Sequence, residues 1–149
     1  MSMTNSTKIT SYQGVGVMRD TLALARVHYE IHVYDEGFAG YAVWARNDIR
    51  LPLIAHLSDF LKRRKRASMT VKDAVALDER SFYVAYSDIQ GIVNDGDHKE
   101  IQLLSNTEQM TILFRPPDDY EEFMEHINKN VKEKVFSRDE VKTVSAVYV

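Results

Sequence analysis

The chain has no cysteine, which removes disulfides, thiolate zinc sites and cysteine nucleophiles together and fits a reducing cytosol. Long apolar runs are missing as well. Charge-free stretches such as "GFAGYAVWA" at 37–45 reach only about half of what a helix needs to cross a bilayer. The start of the chain lacks the basic-then-apolar order of a secretion signal. Net positive charge is absent too: 22 acids against 19 Lys and Arg leave −3, so no protein-wide field gathers DNA or RNA, and such binding would need a local patch. Neither a G-x-S-x-G elbow nor a Walker-type loop occurs; "GVG" (14–16) and "GFAG" (37–40) lack the lysine, the length and the following helix that a phosphate loop requires. No catalytic residue, metal ligand set or cofactor is assigned from the sequence, and no internal repeat is visible.

What is present suits one folded core. At 149 residues with 44% hydrophobic and 28% charged residues, the chain is too apolar for disorder and close to the commonest domain size. The expected organisation is a polar, disordered leader at 1–7, a single domain at 8–136 with a helical insertion at about 49–78, and a tail at 137–149 able to form a strand.

Periodicity places the elements. In "HYEIHVY", Tyr29, Ile31 and Val33 point one way and His28, Glu30, His32 and Tyr34 the other, which is strand spacing. "DEG" (35–37) supplies a turn, and "FAGYAVWA" continues as a mostly buried strand whose glycine signals a bulge or close packing. An earlier strand lies within "ITSYQGVGVM" or "TLALA". From about Arg50 the period changes, with Leu53, Ile54, Leu57, Phe60 and Leu61 lining one helix face behind Pro52. A short helix within Ser68 to Asp78 follows as part of the linker. "SFYVAYSDIQGIV" resumes the alternation with Phe82, Val84 and Tyr86 on one face, Asp95-Gly96 marks a hairpin turn, and "EIQLLS" and "QMTILFR" complete an antiparallel meander. "RPPDDYEEFMEHINKNVKEK" then predicts a helix with Asp118 as N-cap, Glu121 three residues on, and Tyr120, Phe123, Met124, Ile127 and Val131 as its apolar stripe.

The fold class expected is α+β, mainly β: a bent antiparallel sheet or partly open barrel with a carboxyl-terminal amphipathic helix and a helical insertion. From Phe82 to Val131, the residues "FYVAYSDIQGI", "EIQLLSN", "QMTILFRP" and "YEEFMEHINKNV" resemble the pleckstrin-homology-like superfamily, particularly its bacterial and archaeal members and the related GRAM domains. "GFAGYAVW…LPLIAHLSDFLKRRKR" looks like the helical insertion that some prokaryotic members carry. The resemblance implies a non-enzymatic binding module. Lys8, Arg19 and Arg26 do not match the basic motif of phosphoinositide-binding members, so inositol-phosphate specificity is not implied.

Two constellations bear on function. Lys62, Arg63, Arg64, Lys65 and Arg66 form an uninterrupted basic run at a helix end, where cations complement the helix dipole and charge runs ordinarily face water. Beside an amphipathic helix the run fits an anionic membrane, where each nearby cation contributes about 1 kcal/mol. It also complements "DDYEEFMEH", which holds five acids and no Lys or Arg. Nucleic acid ranks below both, because stacking aromatics are not interleaved with the cations. Ser68, in "RKRAS", also resembles a basic-directed phosphorylation site. The second constellation, His28, Glu30 and His32, shares a strand face that reads as polar and partly wet rather than as a metal site, since the outer pair is too far apart for one ion. The expected function is a cytoplasmic binding or assembly module contacting a second copy, another protein or a membrane surface through residues 62–66. The alternative is a small-ligand or enzymatic site around His28, Glu30 and His32.

Overall fold

The computed structural model describes residues 8–22, 26–43, 61 and 64–140. Its class is α+β and mainly β. The described residues form strands β1 (Lys8–Arg19), β2 (Arg26–Tyr34), β3 (Gly37–Ala42), β4 (Phe82–Ala85), β5 (Ile89–Asp95), β6 (Glu100–Ser105), β7 (Gln109–Leu113) and β8 (Val135–Ser137), with helices α1 (Val71–Ala76) and α2 (Pro117–Val131). Contacts gather the chain into two units, Met1–Gln13 with Val27–Ala85 and Gly14–Arg26 with Tyr86–Val149. Strand β1 contributes to both, passing from one to the other at Gly14, whose φ of 67° is left-handed backbone that costs a side-chain-bearing residue about 1–2 kcal/mol.

In the first unit, hydrogen bonding runs in the order β4-β3-β2-β1. Register sets Tyr29 opposite Ala42, Glu30 opposite Tyr41, Ile31 opposite Gly40, His32 opposite Ala39 and Val33 opposite Phe38. One face therefore collects Tyr29, Ile31, Val33 and Phe38, all fully buried, and the three apolar side chains each contribute about 1.5–3 kcal/mol by leaving water. Phe82 joins them edge-on, its ring centroid 5.1 Å from Tyr29 and 6.3 Å from Phe38. Its ring also crowds Gly40, where any Cβ would collide with it, so of the two roles expected of this glycine, bulge or close packing, the second is the one seen. The Tyr29 hydroxyl donates to the Arg80 carbonyl at 2.6 Å. Helix α1 starts at Thr70, whose hydroxyl accepts from the Asp73 amide at 3.2 Å, an ordinary N-cap.

In the second unit the order is β1-β7-β6-β5-β8. The β5–β6 turn forms at Asp95-Gly96 as expected, with the Asp95 carboxylate accepting from the amides of Asp97 and His98 at 3.1 and 3.3 Å. The stripe of α2 is buried in full: Tyr120, Phe123, Met124, Ile127 and Val131. Phe114 packs 5.2 Å from Phe123 and 6.4 Å from Tyr120. Arg19 and Glu108 form a two-pronged ion pair, 2.5 and 2.7 Å, with both side chains 9% exposed.

Three expectations need correction. The run "SFYVAYSDIQGIV" is not one strand: a 3-10 turn at Tyr86–Asp88 separates β4 from β5. It is pinned where the Asp88 carbonyl accepts from the Asn106 amide at 3.0 Å, and Ser-Asp favours turns over ladders. Helix α2 is not capped by Asp118; it begins at Pro117, and Pro116 precedes it without a side-chain cap bond. Proline at the first helical position has no N–H to satisfy and a φ already suited to the helix. The pairing is not wholly antiparallel either, because β8 runs parallel to β5; an intervening helix returns the chain in the same direction, as parallel neighbours require. The predicted helix over Leu53 to Phe60 lies outside the described residues.

Candidate functional site

The second face of β2 and β3 carries the chemistry. Period-two alternation puts Glu30, His32 and Tyr34 on it, and the register brings Ala39 and Tyr41 alongside. Covered by α1, this face is drier than expected: Glu30 and Tyr34 are buried, and the His32 side chain is 15% exposed. Tyr34, Ala39, Tyr41, Val71 and Ala74 pack into one cluster, with Met69, Val75 and Tyr83 against it.

Within that cluster the polar groups pair off. Glu30 Oε1 lies 2.7 Å from His32 Nε2. The Tyr34 and Tyr41 hydroxyls are 3.1 Å apart. His32 stands edge-on to Tyr41 with centroids 4.8 Å apart, and the Arg66 guanidinium carbon sits 4.6 Å from the centre of the Tyr41 ring, within cation–π range. Burial pushes the Tyr34 phenol well above its usual range, helped by its hydrogen bond to Tyr41 and by the Glu30 charge against an opposing pull from Arg66. Burial also raises Tyr41, although its bond with Tyr34 and the Arg66 charge oppose the rise. Both phenols are neutral hydroxyls at neutral pH and able to donate.

These groups line a cleft of about 420 Å³ formed by Lys8, Glu30, His32, Tyr34, Tyr41, Arg66, Ala67, Met69, Val71 and Ala74, a size typical of small-molecule sites. Among the described lining residues two cations stand with a single carboxylate, and Met69, Val71 and Ala74 are apolar.

Of the five residues of the basic run, Lys62 and Arg63 lie outside the described residues. Residues 64–66 are helical; Arg64 and Lys65 are exposed, whereas Arg66 is half-buried and lines the cleft. The run is thus divided in role, and its last member meets the polar strand face that the sequence presents as a separate constellation. His28 shares that strand face but is not among the cleft residues. Ser68 is exposed, its hydroxyl donating to the Lys65 carbonyl at 3.1 Å. Sequence reasoning missed Lys8, Tyr41, Met69, Val71 and Ala74. The one local signal was the small–large alternation of Ala39 and Tyr41, which leaves room opposite His32.

A smaller hollow of about 270 Å³ in the second unit is lined by Asn94, Asp95, Asp97, His98, Ser137 and Arg138 among others. Its central charge is already matched, with Asp95 Oδ2 lying 2.7 Å from His98 Nδ1 and 2.8 Å from Arg138 Nη1. Desolvation works against ionisation of Asp95, yet the bonds from Arg138 and His98 outweigh it and pull the carboxyl down to about 2. Among the described residues, no three His, Asp or Glu side chains gather as a metal site would require, and no helix is long and apolar enough to cross a membrane. No protein-family model matches the chain, and no curated protein is significantly similar to it.

Proposed function

We propose that the chain is a non-enzymatic binding or assembly module of the pleckstrin-homology-like type, meeting an acidic partner through its basic segment, Lys62 to Arg66. The type is supported by two meanders that draw on one long strand, β1, and by an amphipathic helix after the last antiparallel strand. The observation that carries the contact is the exposure of Arg64 and Lys65 side by side on helical residues.

A second copy of the chain is the favoured partner. Helix α2 exposes Asp118, Glu121, Glu122 and Glu125 and has no cation before Lys129, a counterpart of suitable sign and density for the basic segment. Charge complementarity of this kind speeds and orders assembly more than it tightens it. A second reading, contact with an anionic membrane, is favoured by Leu61, which is 53% exposed beside the cations, the arrangement of interfacial helices.

Sedimentation of the wild type and of an Arg64→Gln, Lys65→Gln double variant, at low and high salt and with or without phosphatidylglycerol vesicles, separates these. Assembly predicts a smaller mass for the variant and at high salt. Membrane contact predicts loss of co-sedimentation with vesicles. No change in either measurement would sink the electrostatic contact altogether.

A further inference from the structure

We infer that the cleft of the first unit is a binding site for a small organic carboxylate, an acid group joined to an apolar body. It is distinct from the exposed cations Arg64 and Lys65.

The lining argues for each half of that ligand. Lys8 and Arg66 are cations reaching the cleft from different parts of the chain, one at the start of β1 and the other four residues before the N-cap of α1. Among the described lining residues the one carboxylate is Glu30, itself bonded to His32. Two cations standing with that one carboxylate favour an anionic group on the ligand, and Glu30 opposes a dianionic phosphate more than a carboxylate. Arg66 is seated on the Tyr41 ring, so its planar fork is partly held before any ligand arrives, and such pre-organisation reduces the ordering cost of a two-pronged carboxylate contact.

The remainder of the wall is of two kinds. Tyr34 and Tyr41 bring hydroxyls that can turn toward an oxygen, whereas Met69, Val71 and Ala74 bring methyl and thioether surface. A few fixed polar groups set against an apolar wall is the usual composition of a small-molecule pocket. Methionine adds a side chain that adapts to ligands of differing outline. Simple salt anions would satisfy the cations but leave the apolar wall wet, and neutral hydrocarbons would do the reverse. Only the combined chemistry uses both.

Such a ligand has two sources, a free acid in solution or a fatty acid held in a membrane. Isothermal titration calorimetry with hydrocinnamate, its neutral isostere hydrocinnamyl alcohol, and acetate tests the chemistry. Co-sedimentation with phosphatidylcholine vesicles containing oleic acid tests the source. Hydrocinnamate should bind at least tenfold more tightly than the alcohol or acetate. Arg66→Gln should weaken it about tenfold, and Ala67→Glu, an exposed change at the rim that brings in a second carboxylate, should do the same without disturbing the fold. Arg64→Gln with Lys65→Gln, which tests the proposed surface contact, should leave it unchanged. Binding of oleate vesicles alone, still lost with Arg66→Gln and Ala67→Glu but not with the double variant, upholds the site and assigns it a lipid source. Equal binding of acid and alcohol, indifference to both Arg66→Gln and Ala67→Glu, or no binding in either format overturns it.

Discussion

Among the described residues, α1 lies over strands of the first unit and α2 over strands of the second, but the two helices do different things. In the second unit, α2 lays five apolar side chains down and leaves no polar group of the stripe except the Tyr120 hydroxyl, which accepts from Asn94 at 3.4 Å. In the first, α1 is only six residues long and buries two, and it lies over a strand face carrying a carboxylate, an imidazole and two phenols. Polar groups are buried at a cost unless bonded, and Glu30 with His32 and Tyr34 with Tyr41 are bonded pairwise along the cleft. A filled apolar contact stabilises; a partly filled polar one is where a ligand can add what the protein lacks.

That contrast can be pressed from both sides. Phe123→Ala, under α2, removes a ring that is 1% exposed and should cost about 3–5 kcal/mol in urea unfolding. Val71→Ala, under α1 and beside an existing cleft, removes fewer atoms and should cost roughly 1.5 kcal/mol. Equal losses would mean that the cleft is packed as tightly as the α2 contact.

The glycines give an intermediate effect. Gly40→Ala drives a methyl into the Phe82 ring and should destabilise the first unit by about 1–3 kcal/mol. Gly91 in β5 has open space where a Cβ would stand, so Gly91→Ala should stay within about 0.5 kcal/mol of the wild type. Thermal unfolding of the two variants decides; a reversed order would contradict the close approach at Gly40.

Asp95 should give the smallest effect, and its sign depends on pH. Its folded carboxyl ionises near 2, below the usual value near 4, so it stabilises the fold fully above that usual value and loses the contribution as pH falls through about 2. The difference in unfolding midpoint between wild type and Asp95→Asn should therefore be constant from neutral pH down to about 5 and shrink below that. A difference that grows on acidification would show that the carboxylate is not the stabilised form.

How much of this could be read from the chain alone follows from which forces are local. The alternation of "HYEIHVY", the Asp95-Gly96 turn and the stripe from Tyr120 to Val131 are short-range patterns, and each appears where the spacing put it. The break at Tyr86–Asp88 depends on Asn106, eighteen residues away from Asp88, and no period reveals it. The parallel strand β8 depends likewise on where α2 delivers the chain. The cleft was half legible: Glu30, His32 and Tyr34 stood together on one face, and Arg66 stood in a charge run. Their meeting required the β2–β3 register, which brings up Tyr41, and the turn after residue 66, which sets α1 over both. Charge runs usually face water, so nothing in the run itself marked its last residue as the one turned inward.

The central claim is that the cleft of the first unit takes a small ligand, whereas the apolar contact under α2 in the second is packed and takes none. Amide chemical-shift mapping during a hydrocinnamate titration tests it most directly. The expected result is saturable shifts in residues 30–34, 39–41 and 64–74, with α2 unmoved. Shifts centred on residues 120–131, or none anywhere at millimolar ligand, would contradict it.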